Sequence, residues 1–442
     1  MEVLIKVAQL ILSLSILVIF HEFGHFIASK IFGARVEKFY LFFDPWFSLF
    51  KFKKGDTEYG VGWLPLGGYV KISGMIDESM DKEAMKLPPQ PWEFRSKPAW
   101  QRLIIMLGGV TVNILLAIAI YILMLFTWGE QYLPTASLKY GITVDTLGAE
   151  MGLRNGDKIL SVDGDKVEDF LKIPGKIILD DAKTIQVERE GVPTEVKIPE
   201  GFISKMLKQK TPDFINIRVP FVVDGFAKNS PARVAGIQEG DRIIGLDGQP
   251  TLYFDQFKAA VTRKKGQQVD VTVLRKNDTL NLPLTLTADG MIGVAAKGDL
   301  AAFFKVSERQ YTLLEAIPAG ATKAYTGVGD YLKSLKLLFS PKVKAYESVG
   351  GFITIAKIFP GEWHWEAFWK LTAFLSIMLA ILNVLPIPAL DGGHVMFLFY
   401  EIITRRKPSD KFLEYAQIVG MVLLLSLLVF ANGNDIVKLF RH

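Results

Sequence analysis

Four long apolar stretches constrain this chain more than any other feature of its sequence. They run from Leu4 to Phe26, Leu103 to Trp128, Phe368 to Leu385 and Phe412 to Phe430. A helix of roughly 20 apolar residues is long enough to cross the hydrocarbon core of a bilayer. Hydrophobic residues make up 50% of the 442 residues, so part of the chain is expected to lie in lipid. The sequence therefore predicts a multi-pass α-helical membrane protein with four transmembrane helices.

Basic residues predict how these helices are oriented. They are frequent between Lys30 and Arg102, and again just before the last stretch, from Arg405 to Lys411. Because lysine and arginine near helix ends are retained in the cytoplasm, both loops are predicted to be cytoplasmic. The long polar region between the second and third stretches is then exported. The net charge of +5 reflects this bias, and without a basic arm or motif no nucleic-acid partner is expected.

The first apolar stretch contains the pattern H-E-x-x-H at His21-Glu22-Phe23-Gly24-His25. On a helix, imidazoles four residues apart lie on one face and can bind one zinc ion, while Glu22 can reach a metal-bound water as general base. The alternative is a pair of helix-end histidines with a glutamate that reaches the headgroup boundary. Ionisable side chains at membrane depth are costly, which favours a functional metal site.

A catalytic zinc site needs a third protein ligand, and the chain contains no cysteine to supply it. The best candidate is Asp391, which follows a helix break at Pro386 and Pro388. Irregular backbone at membrane depth is tolerated where it lines a cavity. Asp391 alone would more readily be an N-cap for a helix that starts near Gly392, but the H-E-x-x-H pattern reverses that preference. His394 is the alternative third ligand, although it is more plausible as a group packed beside the site.

These motifs resemble those of the site-2 protease family. The resemblance spans nearly the whole chain and rests on His21 to His25, on Gly108 to Asn113, on two PDZ-like modules and on N-x-x-P-x-P-x-L-D-G-G from Asn383 to Gly393. Gly109 departs from the proline that is usual in the family, which puts the start of that helix in doubt rather than the chemistry.

The resemblance implies a zinc metalloendopeptidase of the bacterial inner membrane with PDZ-like domains on the periplasmic face. The implied metal ligands are His21, His25 and Asp391, and the implied catalytic residue is Glu22. The implied substrates are single-span membrane proteins, typically an anti-sigma factor already trimmed by another protease, in regulated intramembrane proteolysis and envelope stress signalling. Remnant signal peptides are a second implied class, and membrane lipid is the surrounding partner.

Substrate contacts are predicted in two places. The glycines and aromatic residues of Thr57 to Met75 indicate a membrane-associated β-hairpin whose edge strand, around Gly60-Val61-Gly62, pairs with an unwound substrate segment. The alternative is an ordinary cytoplasmic hairpin. Asn383 is predicted to hold the substrate backbone or the developing oxyanion, and an equal alternative is that its amide caps the helix end. Pro386 and Pro388 are assigned to the same substrate-binding segment.

The exported region contains an internal repeat. Leu153 to Gly164 aligns with Ile237 to Gly248, and each copy has a G-D turn, an alternating strand and a D-G turn. We interpret the repeat as two inserted PDZ-like α+β domains. Pro220 to Val223 is predicted to line a peptide groove in the second copy. The two domains are nevertheless expected to act mainly as a size filter, which would not bind a peptide. Leu313 to Leu338 has the spacing of an amphipathic helix on the exported membrane surface.

The predicted organisation follows from these assignments. Its segments are 1–30 (first transmembrane helix), 31–100 (cytoplasmic-side region with the hairpin at 57–75), 101–128 (second transmembrane helix), 129–205 and 206–300 (PDZ-like domains), 308–365 (amphipathic helix and linker), 366–411 (third transmembrane helix and zinc-ligand segment) and 412–442 (fourth transmembrane helix and tail).

Two other functions fit part of the pattern. Intramembrane histidine, glutamate and aspartate also mark ion pathways, so an intramembrane metal transporter is one alternative. A PDZ-bearing membrane scaffold or chaperone with a structural metal is the other. No transmembrane repeat of the transporter kind is visible in the sequence, and a structural metal has no use for Glu22 as a base.

Overall fold

The computed structural model describes residues 1–65, 67–75, 88–209, 214–338 and 350–440. The α-helices in this part of the chain are α1 Glu2–Ile31, α2 Ala99–Trp128, α3 Thr146–Met151, α4 Ile173–Leu179, α5 Phe202–Gln209, α6 Pro231–Val234, α7 Phe254–Thr262, α8 Leu313–Leu338, α9 Phe352–Ile358, α10 Trp365–Val384, α11 Asp391–Thr404 and α12 Asp410–Phe440. Portions of the predicted segments 31–100, 206–300, 308–365 and 412–442 lie outside the described residues.

The strands are short except in two hairpins. They are β1 Val36–Leu41, β2 Phe43–Lys54, β3 Thr57–Leu64, β4 Tyr69–Ile72, β5 Glu130–Tyr132, β6 Ile142–Val144, β7 Lys158–Val162, β8 Thr184–Arg189, β9 Val192–Lys197, β10 Ile215–Ile217, β11 Phe221–Phe226, β12 Arg242–Leu246, β13 Gln249–Pro250, β14 Gln268–Arg275, β15 Asp278–Thr285, β16 Val294–Ala296 and β17 Ser307–Arg309.

The chain forms two compact units. Within the described residues, unit 1 comprises residues 1–129, 310–338 and 350–440, and unit 2 comprises residues 130–309. In the part of the chain that the structure describes, four helices of unit 1 are long and apolar enough to cross a membrane, namely α1, α2, α10 and α12. Together with the sheets, they fit the predicted membrane protein.

Helices α1 and α2 of unit 1 approach each other closely where both carry glycine. A Cβ atom on Gly24 would lie 2.2 Å from the carbonyl oxygen of Gly108, so no larger residue fits at this crossing without separating the backbones. Small residues at helix crossings are a common device of membrane proteins, because van der Waals packing rather than the hydrophobic effect holds the helices together. The crossing places the histidines of α1 directly against α2.

The four-stranded sheet of unit 1 has the strand order β2-β3-β1-β4. Strand β3, which contains Val61, lies between β2 and β1, so the predicted edge position of Val61 is wrong. The glycines of β3 accommodate the sheet itself, because a Cβ on Gly60 would lie 2.3 Å from the Tyr40 ring and one on Gly62 would lie 2.1 Å from the Phe43 carbonyl oxygen. The outer strands are β2 and β4.

Helix α8 of unit 1 packs along α2. Its small residues Ala316, Gly320 and Ala324 are buried, and a Cβ on Gly320 would lie 2.7 Å from the backbone nitrogen of Ile122 in α2. One face of the predicted amphipathic helix therefore packs against another helix, and its position on the exported membrane surface stays a prediction.

Both copies of the repeat in unit 2 contain an equivalent aspartate–arginine pair. Arg189 donates two hydrogen bonds to Asp157, at 2.7 and 2.9 Å, and Arg275 donates two to Asp241, at 2.7 and 2.8 Å. Each pair ties the start of the strand after the G-D turn to the hairpin that follows. Equivalent pairs in the two copies support the interpretation of unit 2 as an internal duplication.

Two details of unit 2 bear on the predicted domains. Strand β10 pairs with β6, so the first copy extends past residue 205 and at least to Ile217. Strand β11 pairs with both β12 and β16, which leaves Val222 on an internal strand. A peptide therefore has no free strand edge to pair with at Pro220 to Val223, and β16 is the outer strand on that side of the sheet.

Candidate metal centre

Three predicted ligands meet at one point in unit 1. His21 and His25 lie one helical turn apart on α1, and Asp391 is the first residue of α11. The Oδ2 atom of Asp391 is 3.2 Å from the Nε2 atom of each histidine, and the two Nε2 atoms are 3.3 Å apart. Among the described residues this is the only group of three or more histidines, cysteines or acids close enough to bind a metal ion together.

The spacing of these three atoms fits zinc. For a tetrahedral ion with ligand bonds of about 2.0–2.1 Å, the ligand atoms are separated by roughly 3.3–3.4 Å. The Oδ2 atom of Asp391 is also buried and lacks a hydrogen bond of acceptable geometry. A buried carboxylate oxygen without a partner is costly, and a cation between it and the two imidazoles removes that cost.

The structure bears on the alternatives for Asp391. The residue that caps α11 is Leu390, and no side-chain capping bond is formed there, so Asp391 is not an N-cap. His394 lies one turn further into α11 and lines the cavity beside the site. Within the described residues, the three-ligand cluster consists of His21, His25 and Asp391 and does not include His394.

Hydrogen bonds from α2 orient both imidazoles. The Nδ1 atom of His25 is 2.9 Å from the backbone oxygen of Ile105, and it can only donate to a carbonyl. A neutral His25 therefore has its lone pair on Nε2, the atom that faces the cluster. The side-chain amide of Asn113 lies 3.2 Å from Nδ1 of His21, while its oxygen is buried without a partner. The oxygen and nitrogen of an asparagine side chain can be interchanged by rotating its amide group by 180°. In the rotated orientation the Asn113 oxygen accepts a hydrogen bond from Nδ1 of His21, which leaves the lone pair of His21 on Nε2, as in His25.

Asn113 and Gly109 have roles that the motif alone did not reveal. A Cβ atom on Gly109 would lie 2.4 Å from Nε2 of His25 and 2.6 Å from Cε1 of His21. Glycine in place of the family's usual proline at position 109 therefore leaves space for the two imidazole rings. The expectation that this difference affects the start of the helix is wrong, because the helix begins at Ala99. The sequence did contain a signal for Asn113, because it is a polar residue in an apolar stretch. A buried polar side chain needs a hydrogen-bond partner, and that requirement could have pointed to the histidines.

The cluster opens into a cavity of about 840 Å³. Glu22 lines this cavity together with His21, His25 and Asp391, so the predicted base shares a chamber with the predicted ligands. Another wall is strand β4, from Tyr69 to Ile72, and a third comes from Gln417 and Met421 of α12. The proposed reacting groups and an outer strand of the sheet thus face the same space.

The remaining predicted residues are placed differently. Asn383 lies beside the cluster, with its amide nitrogen 3.2 Å from Nε2 of His21. The described walls of the cavity do not include Pro386, Pro388, Gly60, Val61 or Gly62. The two prolines lie in the turn between α10 and α11, and the three residues of β3 lie inside the sheet.

Three protein ligands beside an open chamber are typical of catalytic zinc, because structural zinc sites are closed by four protein ligands. The protein is a zinc metalloprotease and a bacterial membrane protein. Residues 9–427 match the model of peptidase family M50, and the chain belongs to this family, that of the site-2 proteases.

Several relatives match over nearly their full length. The regulator of sigma-E protease RseP of Escherichia coli is 30% identical, with 98% of each chain covered. The protein of the same name from Salmonella typhimurium is 28% identical over 99% of this chain and 100% of its own. A Neisseria meningitidis protein whose name marks it as a candidate zinc metalloprotease is 28% identical over 97% of this chain and 98% of its own.

Proposed function

We propose that this intramembrane metalloprotease cleaves the transmembrane segment of single-span membrane proteins. The observation that carries the proposal is the convergence of three ligand atoms from α1 and α11, spaced as around one zinc ion, in a cavity that also contains Glu22. The proposed substrates are an anti-sigma factor after a first cleavage and remnant signal peptides. The names of the sigma-E relatives and the family resemblance support an anti-sigma factor, and with it a role in the envelope stress response.

The proposed roles follow from position. His21, His25 and Asp391 would bind the zinc ion, which would supply Lewis acidity for the activation of water and of the scissile carbonyl. Glu22 accepts the proton of the attacking water and delivers it to the leaving amine, and its place on the cavity wall allows both transfers. The Asn383 amide, next to His21, donates a hydrogen bond to the substrate carbonyl oxygen as negative charge develops on it.

The substrate segment is proposed to pair with β4. A transmembrane helix satisfies its own backbone groups, so an unwound segment needs replacement partners inside the membrane. Strand β4 is an outer strand of its sheet and lines the cavity that contains Glu22 and Asp391. A substrate strand added to this edge would pass alongside the ligand cluster, which is the β-augmentation mode of peptide recognition.

The edge strand β4 is rigidly held for this purpose. The ring of Tyr69 stacks between the rings of Tyr40 and Phe43, with centroid distances of 5.2 and 6.0 Å. The Tyr69 hydroxyl donates a 2.8 Å hydrogen bond to Asp44, whose other oxygen accepts from Ser48. A fixed edge reduces the ordering cost that a substrate strand must overcome.

Intramembrane cleavage can be tested in proteoliposomes that contain the protein and a purified single-span substrate. We expect one cut within the membrane-spanning residues of the substrate, as located by mass spectrometry. A zinc chelator should abolish this cut, and added zinc should restore it. A cut outside the membrane-spanning residues, or cleavage that persists in the chelator, would refute the proposal.

Strand pairing can be tested by cross-linking, because the chain contains no cysteine. The protein carries Lys71→Cys on β4 together with Glu22→Gln, so that the bound substrate is not cleaved. It is combined with a series of substrates that each carry one cysteine, at consecutive positions. Paired strands predict that the cross-linking yield alternates with a period of two residues. A period of three to four residues would show that the substrate stays helical, and would rule out strand pairing. Phe50→Cys on the opposite outer strand, β2, is the control and should give low yields at all positions.

A further inference from the structure

The turn that precedes Asp391 adopts an unusual backbone conformation. Ala389, two residues before Asp391, has φ of +76°, a left-handed conformation that residues with a Cβ atom rarely adopt. Such strain persists only where the surroundings enforce it. The structure therefore has to contain groups that stabilise this turn.

One such group is the side chain of Gln417 on α12. Its Oε1 atom accepts a 3.2 Å hydrogen bond from the backbone nitrogen of Ala389, and the side chain is 6% exposed. This bond satisfies a backbone donor of the left-handed turn. Gln417 is thus linked to the proposed ligand Asp391 through two residues of backbone.

The second group is the backbone of α12 at Gly420, one turn after Gln417. A Cβ atom on Gly420 would lie 1.8 Å from the carbonyl oxygen of Pro388 and 2.2 Å from its carbonyl carbon. Because the obstructing atoms are backbone, they cannot move without moving the turn. The close approach of α12 therefore fixes the position of Pro388, which lies next to Ala389.

We propose that Gln417 and Gly420 of α12 are positioning residues that hold the Pro388–Leu390 turn and thereby set the zinc affinity of the site. This inference rests on the proposed role of Asp391 as a zinc ligand. Neither residue is proposed to touch the ion. They act through the turn, because the Oδ2 atom of Asp391 can stay 3.2 Å from both histidines only while that turn keeps its shape.

The first experiment measures zinc affinity by competition with a chromophoric chelator for the purified full chain. Gln417→Met keeps a similar volume but removes the acceptor, and should weaken zinc binding about 10- to 100-fold, as loss of an orienting partner does. Ala389→Gly should change affinity little, because glycine adopts positive φ without strain. When Gln417→Met is combined with Ala389→Gly, the loss of zinc affinity should be smaller than in Gln417→Met alone, because an unstrained turn depends less on Gln417. The proposal would be overturned if Gln417→Met bound zinc with full affinity. It would also be overturned if the free-energy losses of the two single variants simply added in the double variant.

The second experiment uses glycines of the same helix. Gly420→Ala should weaken zinc binding, because the added methyl group displaces Pro388. Gly433→Ala is the matched control, since a Cβ there meets no atom within 4 Å, and it should bind zinc like the parent protein. The absorption spectrum of the cobalt-substituted protein should change with Gly420→Ala and remain the same with Gly433→Ala. Equal zinc affinities for these two variants would show that α12 does not position the turn.

A final control separates this inference from the one on which it rests. If Asp391→Asn binds zinc like the parent protein, Asp391 is not a ligand and the proposed site is wrong. If Asp391→Asn loses zinc while the Gln417 and Gly420 variants keep it, the ligand assignment stands and only the role of α12 is refuted.

Discussion

Two aspartates, one in each unit, show how differently a carboxylate can be used in this protein. In unit 2, Asp241 accepts two hydrogen bonds from Arg275 and a third, at 2.8 Å, from the backbone nitrogen of Gln238. In unit 1, the buried Oδ2 atom of Asp391 lies 3.2 Å from two imidazole nitrogens and has no well-formed hydrogen bond within the described part of the chain. The first carboxylate is fully satisfied by protein, whereas the second is not.

The difference shows how a structural carboxylate can be distinguished from a functional one. Buried polar atoms are almost always hydrogen-bonded, so an orphaned oxygen requires an explanation such as a metal ion. The arginine pair at Asp241 recurs at Asp157 in the other copy of the repeat, as expected of an element that stabilises a fold. The cluster at Asp391 occurs once among the described residues.

The sharpest test of this comparison removes the charge of Asp391. Asp391→Asn should lower the zinc content from about one ion per chain to near zero, because two histidines alone do not complete a catalytic site. Proteolysis should be lost with the metal, and His21→Phe or His25→Phe should behave in the same way. Zinc content is measured by plasma mass spectrometry on purified protein. Full zinc content and activity in Asp391→Asn would remove the distinction between the two aspartates.

The next largest effect is expected at Glu22, which lies in the same cavity but is not among the proposed ligands. Glu22→Gln should retain zinc and reduce the turnover rate at least about 100-fold, the usual consequence of losing a general base. The measurement compares single-turnover rates with zinc content in the same preparation. Glu366→Gln, at the exposed start of α10, is a control that should leave both unchanged. Substantial remaining turnover in Glu22→Gln would place the base elsewhere.

A smaller effect, on stability alone, is expected for Asp241. Asp241→Asn should destabilise unit 2 by about 2 kcal/mol, the typical worth of hydrogen bonds to a charged group. Zinc content should be unchanged, since the site lies in unit 1. Hydrogen exchange of unit 2 peptides in the full chain provides the measurement. Glu239→Gln, an exposed neighbour with the same change of charge, should leave the exchange as it is.

The same pair gives unit 2 a predicted dependence on pH. Burial by itself would raise the pKa of Asp241, but Arg275 and the backbone nitrogen of Gln238 hold it below its ordinary value of 3.8. A carboxylate with a lowered pKa in the folded state stabilises the fold above about pH 4, and this contribution is lost as the pH falls further. Protection of unit 2 from exchange should therefore decrease in acid, and less so in Asp241→Asn. An equal decrease in both proteins would refute the assignment.

The smallest effect on the chemistry is expected when unit 2 is removed. Residues Tyr132 and Ser307 are register partners in the β5–β17 pair, so an Asn-Gly turn can replace Leu133 to Val306 and close a hairpin there. We expect zinc content and cleavage of a trimmed substrate to remain near the parent level. If unit 2 acts as a size filter on the exported side, the shortened protein should also cleave an untrimmed substrate. Slower cleavage of trimmed substrate would instead indicate that unit 2 recruits it.

Much of the candidate site could be predicted from local sequence patterns. A helix fixes which residues share a face, so His21 and His25 follow from their spacing alone. Asp391 was harder, because an aspartate before two glycines equally suits a helix cap, and only its orphaned oxygen in the folded chain favours the metal. Even the internal repeat of unit 2 is visible in the sequence, since both copies need the same turns.

The neighbours of each element were decided only by the tertiary structure. The glycines of β3 suggested an exposed edge, but strand order depends on long-range pairing, and β3 is internal while β4 forms the edge beside the cavity. Gln417 gave no signal at all, because its importance depends on the turn at Ala389, which is 28 residues away in sequence. The sequence by itself determined the apolar helices and the histidines, which depend on local periodicity. The surroundings of Asp391, the outer position of β4 beside the cavity and the contacts from α12 arise only when distant segments pack together.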